Sequence, residues 1–392
     1  MSTFQLSDDI EEFRYEVRKM AEREFAPKAA YWDEEEAFPE ENRRLLAKLG
    51  YFGLIVPEEY GGLGAPIIQS VVCCEELGRT CFNTATLAQI CIHGPARAIS
   101  IIGTEEQKQR LLPDVISGKS LISISISEAH AGSAVTDLRT NVKETANGYV
   151  LNGSKCFTTL AGFATHFLVF ARFSNGKGAR GIGAVIVSRD APGVEVGAPD
   201  KKMGGRGAPE CSVFFDGCEI APEDVLLKGD PDNSNGFKML MDAFGPERAG
   251  NAAICIGVAQ SAYETALAYA QEREQFGRPL MEFQGIQWKI ADMATQIHAA
   301  RMMTYRAATN ERNGFPDAKE VAMAKLYANE MVQRVTSEAL QIHGHYGYTR
   351  SYPLERMVRD SRGFAVAGGT TEILRNTISA MEFGRTFNQR RS

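Results

Sequence analysis

Residues 121–127 read Leu-Ile-Ser-Ile-Ser-Ile-Ser, a strict alternation of apolar and hydroxyl side chains, in a chain whose flanking regions repeat their apolar residues every three or four positions. A two-residue period is a strand, here with Ile toward a core and small polar Ser on the opposite face, whereas a three-to-four period is an amphipathic helix. The chain therefore changes its secondary structure twice. The order that fits is a β domain between two helical ones.

Ahead of the alternation the sequence predicts helices. Ile10, Phe13, Val17 and Met20 mark one that Ser7 can cap and that ends near Pro27, and Pro39 opens another that Gly50 closes. Thr104 and Gln107 form a capping box before Leu111 and Leu112, with Gly118 ending that stretch. Beyond it, Asn147-Gly148 has the chemistry of a tight hairpin and Asn152-Gly153 marks a further bend. Strands are expected at 167–173, 182–187, 194–196 and 212–215. The helical period returns from Gly236, at about 249–273, 284–313 and 318–343, with a last helix from Thr371, and Gly229 to Asn235 is the clear linker. A 30-residue helix is about 45 Å long, so several imply a bundle. The expected class is α+β, mainly α: an N-terminal α-helical domain over 1–119, a middle β domain over 120–232 and a C-terminal helical bundle over 233–392.

Composition narrows the function. The formal charge of −6 comes from dispersed side chains with no basic arm, so nucleic acid is not an expected partner. Apolar runs such as Phe167 to Ala171 fall far short of the roughly 20 residues a membrane helix needs. The first 25 residues mix acidic with basic side chains and lack an apolar stretch, which fits neither a secretory signal nor a transit peptide and makes the cytosol the expected compartment. The eight cysteines show no C-x-x-C pair and no metal spacing, so they read as buried small apolar residues, and no metal site is expected.

Three segments carry chemistry. Ser127-Glu128-Ala129-His130-Ala131-Gly132-Ser133 is a loop of small residues whose backbone can approach a phosphate or a flat ring. Gly368-Gly369-Thr370-Thr371-Glu372 is a glycine turn running into a helix, suited to an anion such as a pyrophosphate. Gly245-Pro246-Glu247-Arg248-Ala249-Gly250-Asn251 opens a helix with an acid, a base and then small residues, against which another backbone or a flat ligand can pack. At a helix start Glu247 is stabilised as a carboxylate by the dipole; acting as a base needs an apolar cleft that raises its pKa.

In this order the pieces resemble the acyl-CoA dehydrogenase family of flavoproteins. Further matches are Glu58-Glu59-Tyr60-Gly61-Gly62, Lys202-Met203-Gly204 with Arg206-Gly207, Arg273 to Gly277, and Gln341 to Asp360 with Gly344, Gly347 and Arg356. The resemblance implies an N-terminal helical domain, a middle β domain and a C-terminal four-helix bundle, assembled as a homotetramer that binds FAD. It places Ile126, Ser127 and Ser133 along FAD, with Ser133 also toward the CoA chain. Phe157, Thr158 and Thr159 fall on the segment that shields the flavin and donates toward its N5. Arg273, Gln275, Phe276, Gln341 and Gly344 would contact the FAD of a neighbouring subunit, and Thr370 and Glu372 its adenosine and pyrophosphate end.

The chain departs from the family where its usual base, the Glu of a Tyr-Glu-Gly-Thr stretch, meets Ala367-Gly368-Gly369-Thr370. Isovaleryl-CoA and long-chain acyl-CoA dehydrogenases instead carry a Glu directly before an Arg on the adjoining helix, and Glu247-Arg248 is similar to that arrangement. The resemblance then implies Glu247 as the base, with Arg248, Gly368, Gly369 and Ser133 toward the substrate. The implied reaction is α,β-dehydrogenation of a short, branched or alicyclic acyl-CoA, with electron-transferring flavoprotein as acceptor. A same-fold reductase, oxidase, desulfinase or carrier-bound acyl dehydrogenase, or a non-catalytic flavin- or CoA-binding subunit, stays open. Lesser departures are Ala134 for an expected Asp and His345 for an expected Gly; His345, like His343, His130 and His93, reads as a packing or capping residue.

Overall fold

The computed structural model describes residues 6–312, 314–387 and 389. Helices α1 (Asp8–Glu24), α2 (Ala29–Glu34), α3 (Glu40–Lys48), α4 (Ile67–Thr80), α5 (Phe82–His93), α6 (Pro95–Ile102) and α7 (Glu105–Ile116) come first. Gly50 ends the α3 region at φ +77, and Thr104 and Gln107 close the capping box of α7 from both sides. The middle strands are β1 (Ile122–Ser125), β2 (Asn141–Thr145), β3 (Gly148–Thr159), β4 (His166–Arg172), β5 (Ile182–Ser188), β6 (Val194–Pro199), β7 (Glu210–Ile220) and β8 (Val225–Leu227). They form one sheet in the order β6-β7-β3-β2-β4-β5-β8, with β1 parallel on β4. The C-terminal part holds α8 (Asn235–Ala243), α9 (Gly245–Glu272), α10 (Gln284–Thr309), α11 (Ala318–His343), α12 (His345–Tyr348), α13 (Leu354–Asp360) and α14 (Thr371–Glu382). None of the described helices is long and apolar enough to cross a membrane.

Several expectations are corrected. The alternating strand is shorter than 121–127, and both its faces are covered: Ser123 and Ser125 are fully buried, while Ile124 is half-buried against α6. Asn152-Gly153 is no turn. It is a bulge within a continuous β3, where Gly153 at φ +145 passes so near β2 that a Cβ would lie 2.5 Å from the Thr140 hydroxyl. In the hairpin ahead of it the two loop residues are Ala146 and Asn147, and Gly148, at φ +142, already pairs with Thr145. The helix expected to run to 313 stops at Thr309, because Gly314 at φ +76 reverses the chain and pairs Glu311–Arg312 with Phe315–Pro316. The helix expected from 249 begins at Gly245, with Pro246 in its first turn.

The small residues of α9 meet another backbone, that of α4. A Cβ on Gly78 would come 2.7 Å from the Ile254 carbonyl, and one on Gly257 would overlap the Glu75 carbonyl. The largest core runs through this contact, joining the N-terminal helices to the bundle. Two buried carboxylates of α4 reinforce it. Glu75 accepts from Arg301 at 2.9 Å and from the Tyr305 hydroxyl at 2.7 Å, and Glu76 accepts from Arg14 and Arg18 at 3.1 and 2.8 Å. The β domain docks through its 202–207 segment, where the Gly205 amide donates to buried Asp360 at 2.7 Å, beside the ion pair of Arg359 with Asp33. These ties fix the sheet against the bundle, so residues from all three parts hold set positions around α9.

Candidate active site

Glu247 sits in the first turn of α9, with its side chain partly accessible and its backbone carbonyl accepting from the Gln89 amide at 3.3 Å. It faces the turn ahead of α14. A Cβ built on Gly368 would lie 3.6 Å from Glu247 Oε1, 3.2 Å from Lys325 Nζ and 2.8 Å from Asn251 Nδ2. Gly368 also holds φ +62, a conformation a side chain strains, so position 368 is glycine for both space and backbone. Burial pushes the Glu247 carboxyl above its usual range, against the pull of Lys325 and Arg248. The burial penalty outweighs what a helix start gives a carboxylate.

Lys325, on α11, is fully buried and its ammonium donates to the Ala367, Gly368 and Gly369 carbonyls at 2.6, 2.8 and 2.9 Å. Burial pushes it down to about 7, with Glu247 pulling it back up. Buried Asn251, one helical turn beyond Glu247, has a side-chain oxygen with no hydrogen-bond partner. Arg248 is half-buried and pushed down by that burial. Sequence reasoning missed Lys325, Asn251 and Gln89. A signal existed for Lys325, a lysine in the apolar stripe of Val321, Ala322, Ala328 and Val332.

A second group gathers where β1 meets β3. The Cys156 amide donates to the Ser127 carbonyl at 2.9 Å, which lays the 127–133 loop beside Phe157. Thr158 is buried with its hydroxyl 3.2 Å from that of Ser125, whereas Thr159 is half-buried and Ser133 exposed. The loop is anchored from below. Buried Lys155 donates to the Ile126 carbonyl at 2.9 Å and to Glu128 at 2.8 Å, and Glu128 also accepts from the Arg139 and Thr140 amides. Burial lowers Lys155 to about 8. His130, at 3.5 Å from Glu128, belongs to this anchor, and Cys156 is half-buried whereas the other seven cysteines are buried.

Thr370 caps α14, its hydroxyl accepting from the Ile373 amide at 3.2 Å, and exposed Glu372 is held low by its own amide and by the Thr371 and Thr370 hydroxyls. Arg273, Gln275, Phe276, Gln341 and Gly344 are not brought to Glu247. Arg273 ends α9, 26 residues and about 39 Å from Glu247. There it lies over the ring of Tyr346, near exposed Gln341 and Gly344. His345 is exposed nearby, while His343 is buried and stacked on Tyr269 at 4.0 Å. His93 is buried on α5, bonded to the Ser70 hydroxyl at 2.7 Å and pushed down to about 3 by burial, then by Arg97.

Comparison with known proteins places this geometry. Sequence models of the acyl-CoA dehydrogenase N-terminal, middle and C-terminal domains match residues 7–119, 123–218 and 234–382. The chain belongs to the acyl-CoA dehydrogenase family. It is 39% identical to an acryloyl-CoA reductase (NADH) of Anaerotignum propionicum, over 96% of this chain and 95% of that one. With a 3-sulfinopropanoyl-CoA desulfinase of Paraburkholderia xenovorans it shares 38%, over 99% and 100%. The structure of butyryl-CoA dehydrogenase from Megasphaera elsdenii superposes with a TM-score of 0.92 at 32% identity, covering 97% of this chain and 100% of that one. An acyl-CoA dehydrogenase of this kind is an oxidoreductase acting on the CH–CH bond of acyl-CoA, with FAD as cofactor.

The chain's own surfaces fit that cofactor. Phe157 is 64% exposed and Phe276 94% exposed, and both sit on backbone at positive φ, +56 and +54. Two strained residues that present bare aromatic rings match a flat ligand that covers them, since strain of this kind is retained where a site needs it.

Proposed function

We propose that this acyl-CoA dehydrogenase oxidises the α,β bond of a short, branched or alicyclic acyl-CoA, with Glu247 as the base for the α-proton. One observation carries the reading: Glu247 Oε1 reaches within 3.6 Å of the point where a side chain at 368 would begin. The carboxylate enters from α9 the space that the family's usual glutamate enters from the turn. Burial raises its pKa, which makes the carboxylate a stronger base.

The thioester carbonyl faces the amide of Gly368 or Gly369, a donor worth about 3 kcal/mol as negative charge develops. Arg248 orients the thioester region, and Ser133 meets the CoA chain. Glu247 then takes the α-proton, while bound FAD supplies the hydride acceptor. Ile126, Ser127, Phe157, Thr158, Thr159, Thr370 and Glu372 hold that cofactor from within the chain. In the homotetramer that the family implies, Arg273, about 39 Å along α9 from Glu247, and with it Gln275, Phe276, Gln341 and Gly344 serve the site of a neighbouring copy. The acceptor is electron-transferring flavoprotein, the compartment the cytosol, and the chain divides at 119/120 and 232/233.

A second reading is removal of a sulfinate from an acyl-CoA, as named for the 38% identical relative. Arg97 on α6, a buried guanidinium that donates to the Gly314 carbonyl and lies over the Phe315 ring while its Nε has no partner, is the cation that would meet the sulfinate in that reading. Anaerobic titration of the holoenzyme with straight, branched, cyclic and sulfinylated acyl-CoAs decides. Loss of the oxidised flavin band with one saturated thioester is the expected result. Carbon–sulfur cleavage with the band intact selects the second reading, and no response to any thioester overturns both.

A further inference from the structure

The buried ammonium of Lys325 is not used by the mechanism above, yet it touches the same turn as the substrate. Its three contacts are all carbonyls, those of Ala367, Gly368 and Gly369, so it ties together the acceptors of one turn. An ammonium with three donors and three acceptors at 2.6 to 2.9 Å is spatially fixed. The carboxylate that answers its charge is Glu247, which stands across the position of a Gly368 Cβ, a point 3.2 Å from Lys325 Nζ and 3.6 Å from Glu247 Oε1. From α9 it is faced by Glu247, Arg248 and the Cys255 thiol; the 363–369 segment brings no titratable side chain. On the far side of Glu247 lie Gln89 of α5 and, beyond Arg248, Asp242 of α8.

We propose that Lys325 is a positioning residue of the dehydrogenation site: seated on three carbonyls, it fixes the turn facing the thioester and supplies the positive charge that keeps Glu247 ionised as the base. The proposal rests on the Glu247 reading. It adds a second role to a residue that could otherwise be a plain structural bolt, and the two roles differ in what pH does. A bolt sets the rate by the same factor at every pH. A charge sets the pH at which Glu247 ionises: without it the carboxylate loses the stronger of the two cations that pull on it, its pKa rises, and the acid limb of the rate moves to higher pH.

The test compares Lys325→Gln, which keeps donors for the carbonyls and removes the charge, with Lys325→Arg, which keeps the charge. The readout is washout of deuterium from the α-position of a responsive acyl-CoA into solvent, followed against pH with retained FAD absorbance as the check on folding. Gln is expected to move the acid limb up by about one pH unit and Arg to leave it in place. A uniform loss with Gln, the limb unmoved, overturns the proposal. Where Gln does not hold FAD, Arg decides alone: an unmoved limb supports the charge role, and an upward shift despite the retained charge overturns it. Glu247→Gln runs alongside. Washout that survives in that variant means the Glu247 reading has failed, whatever Lys325 does.

Discussion

The two ends of α9 are built on opposite plans. At its start, Glu247, Asn251, Lys325 and the 367–369 turn converge within one chain, with Lys325 and Asn251 buried, Glu247 partly accessible, and the ionisation of Glu247 and Lys325 pushed off its ordinary range. At its end, Arg273, Gln275 and Phe276 are exposed, and Phe276 holds a strained backbone with 94% of its surface bare. Burial with shifted ionisation marks a place where protons move, whereas exposed aromatic and cationic side chains mark a surface that something else completes. On the function proposed above, the first end is the reaction centre and the exposed end its counterpart. The second is then the half of a cofactor site that a neighbouring copy completes.

That contrast breaks most directly at Glu247. Replacing it with Gln is expected to lower the rate of flavin bleaching by acyl-CoA about 10³-fold, inside the usual worth of a general base, while FAD stays bound. Stopped-flow absorbance on the holoenzyme checks it, and a fall below tenfold assigns the base elsewhere. Gly368→Ala comes next. Its Cβ would press on Asn251 at 2.8 Å and hold φ +62, so roughly 1 to 2 kcal/mol of strain and a displaced carboxylate should slow turnover by about 10²-fold. Relief by Gly368→Ala combined with Asn251→Ser would identify the crowding as the cause.

At the other end the expected effect is on binding and not on rate. Arg273→Ala is expected to weaken FAD retention roughly five- to tenfold, about 1 kcal/mol for one cationic contact, and to leave the acid limb of the rate where it is. Equilibrium dialysis of FAD measures the first and a rate profile the second. A limb that moves with Arg273 would join the two ends electrically and remove the distinction drawn above.

How much of this was legible in the sequence follows the same division. The alternation at 121–127 and the Thr104–Gln107 box were readable because period and capping are local. The gap at Gly368 and the choice of Glu247 were both implied by the family resemblance, the second through the Glu-Arg pair that isovaleryl-CoA and long-chain acyl-CoA dehydrogenases carry at the matching place. Lys325 was not read, although its apolar neighbours at 321, 322, 328 and 332 advertised a buried face, since a lone lysine there names no partner. The small residues opening α9 showed that something packs close to that helix without naming α4, whose Gly78 was not read at all. The end of α10 escaped because one glycine at 314 outweighed a continuing helical pattern. Long-range partnership is what a single sequence leaves unspecified.

The smallest effect tests whether buried charge in this molecule is there for chemistry. Asp360 is buried at the joint between the β domain and α13, far in the chain from any proton transfer, and burial raises it to about 6 from 3.8. Its folded form then holds a proton that the unfolded form has released across that interval, so its contribution to stability falls as pH rises from about 4 to 6 and stays low above. Asn keeps an acceptor for the Gly205 amide and carries no charge. Asp360→Asn should therefore raise the melting temperature at pH above 7 by a few degrees, from about 1 to 2 kcal/mol, and change nothing below the ordinary Asp pKa. Thermal melts at both ends of that range check the sign. If the gain is absent, buried carboxylates cost this fold little, and the raised pKa of Glu247 no longer sets the start of α9 apart from the rest of the core.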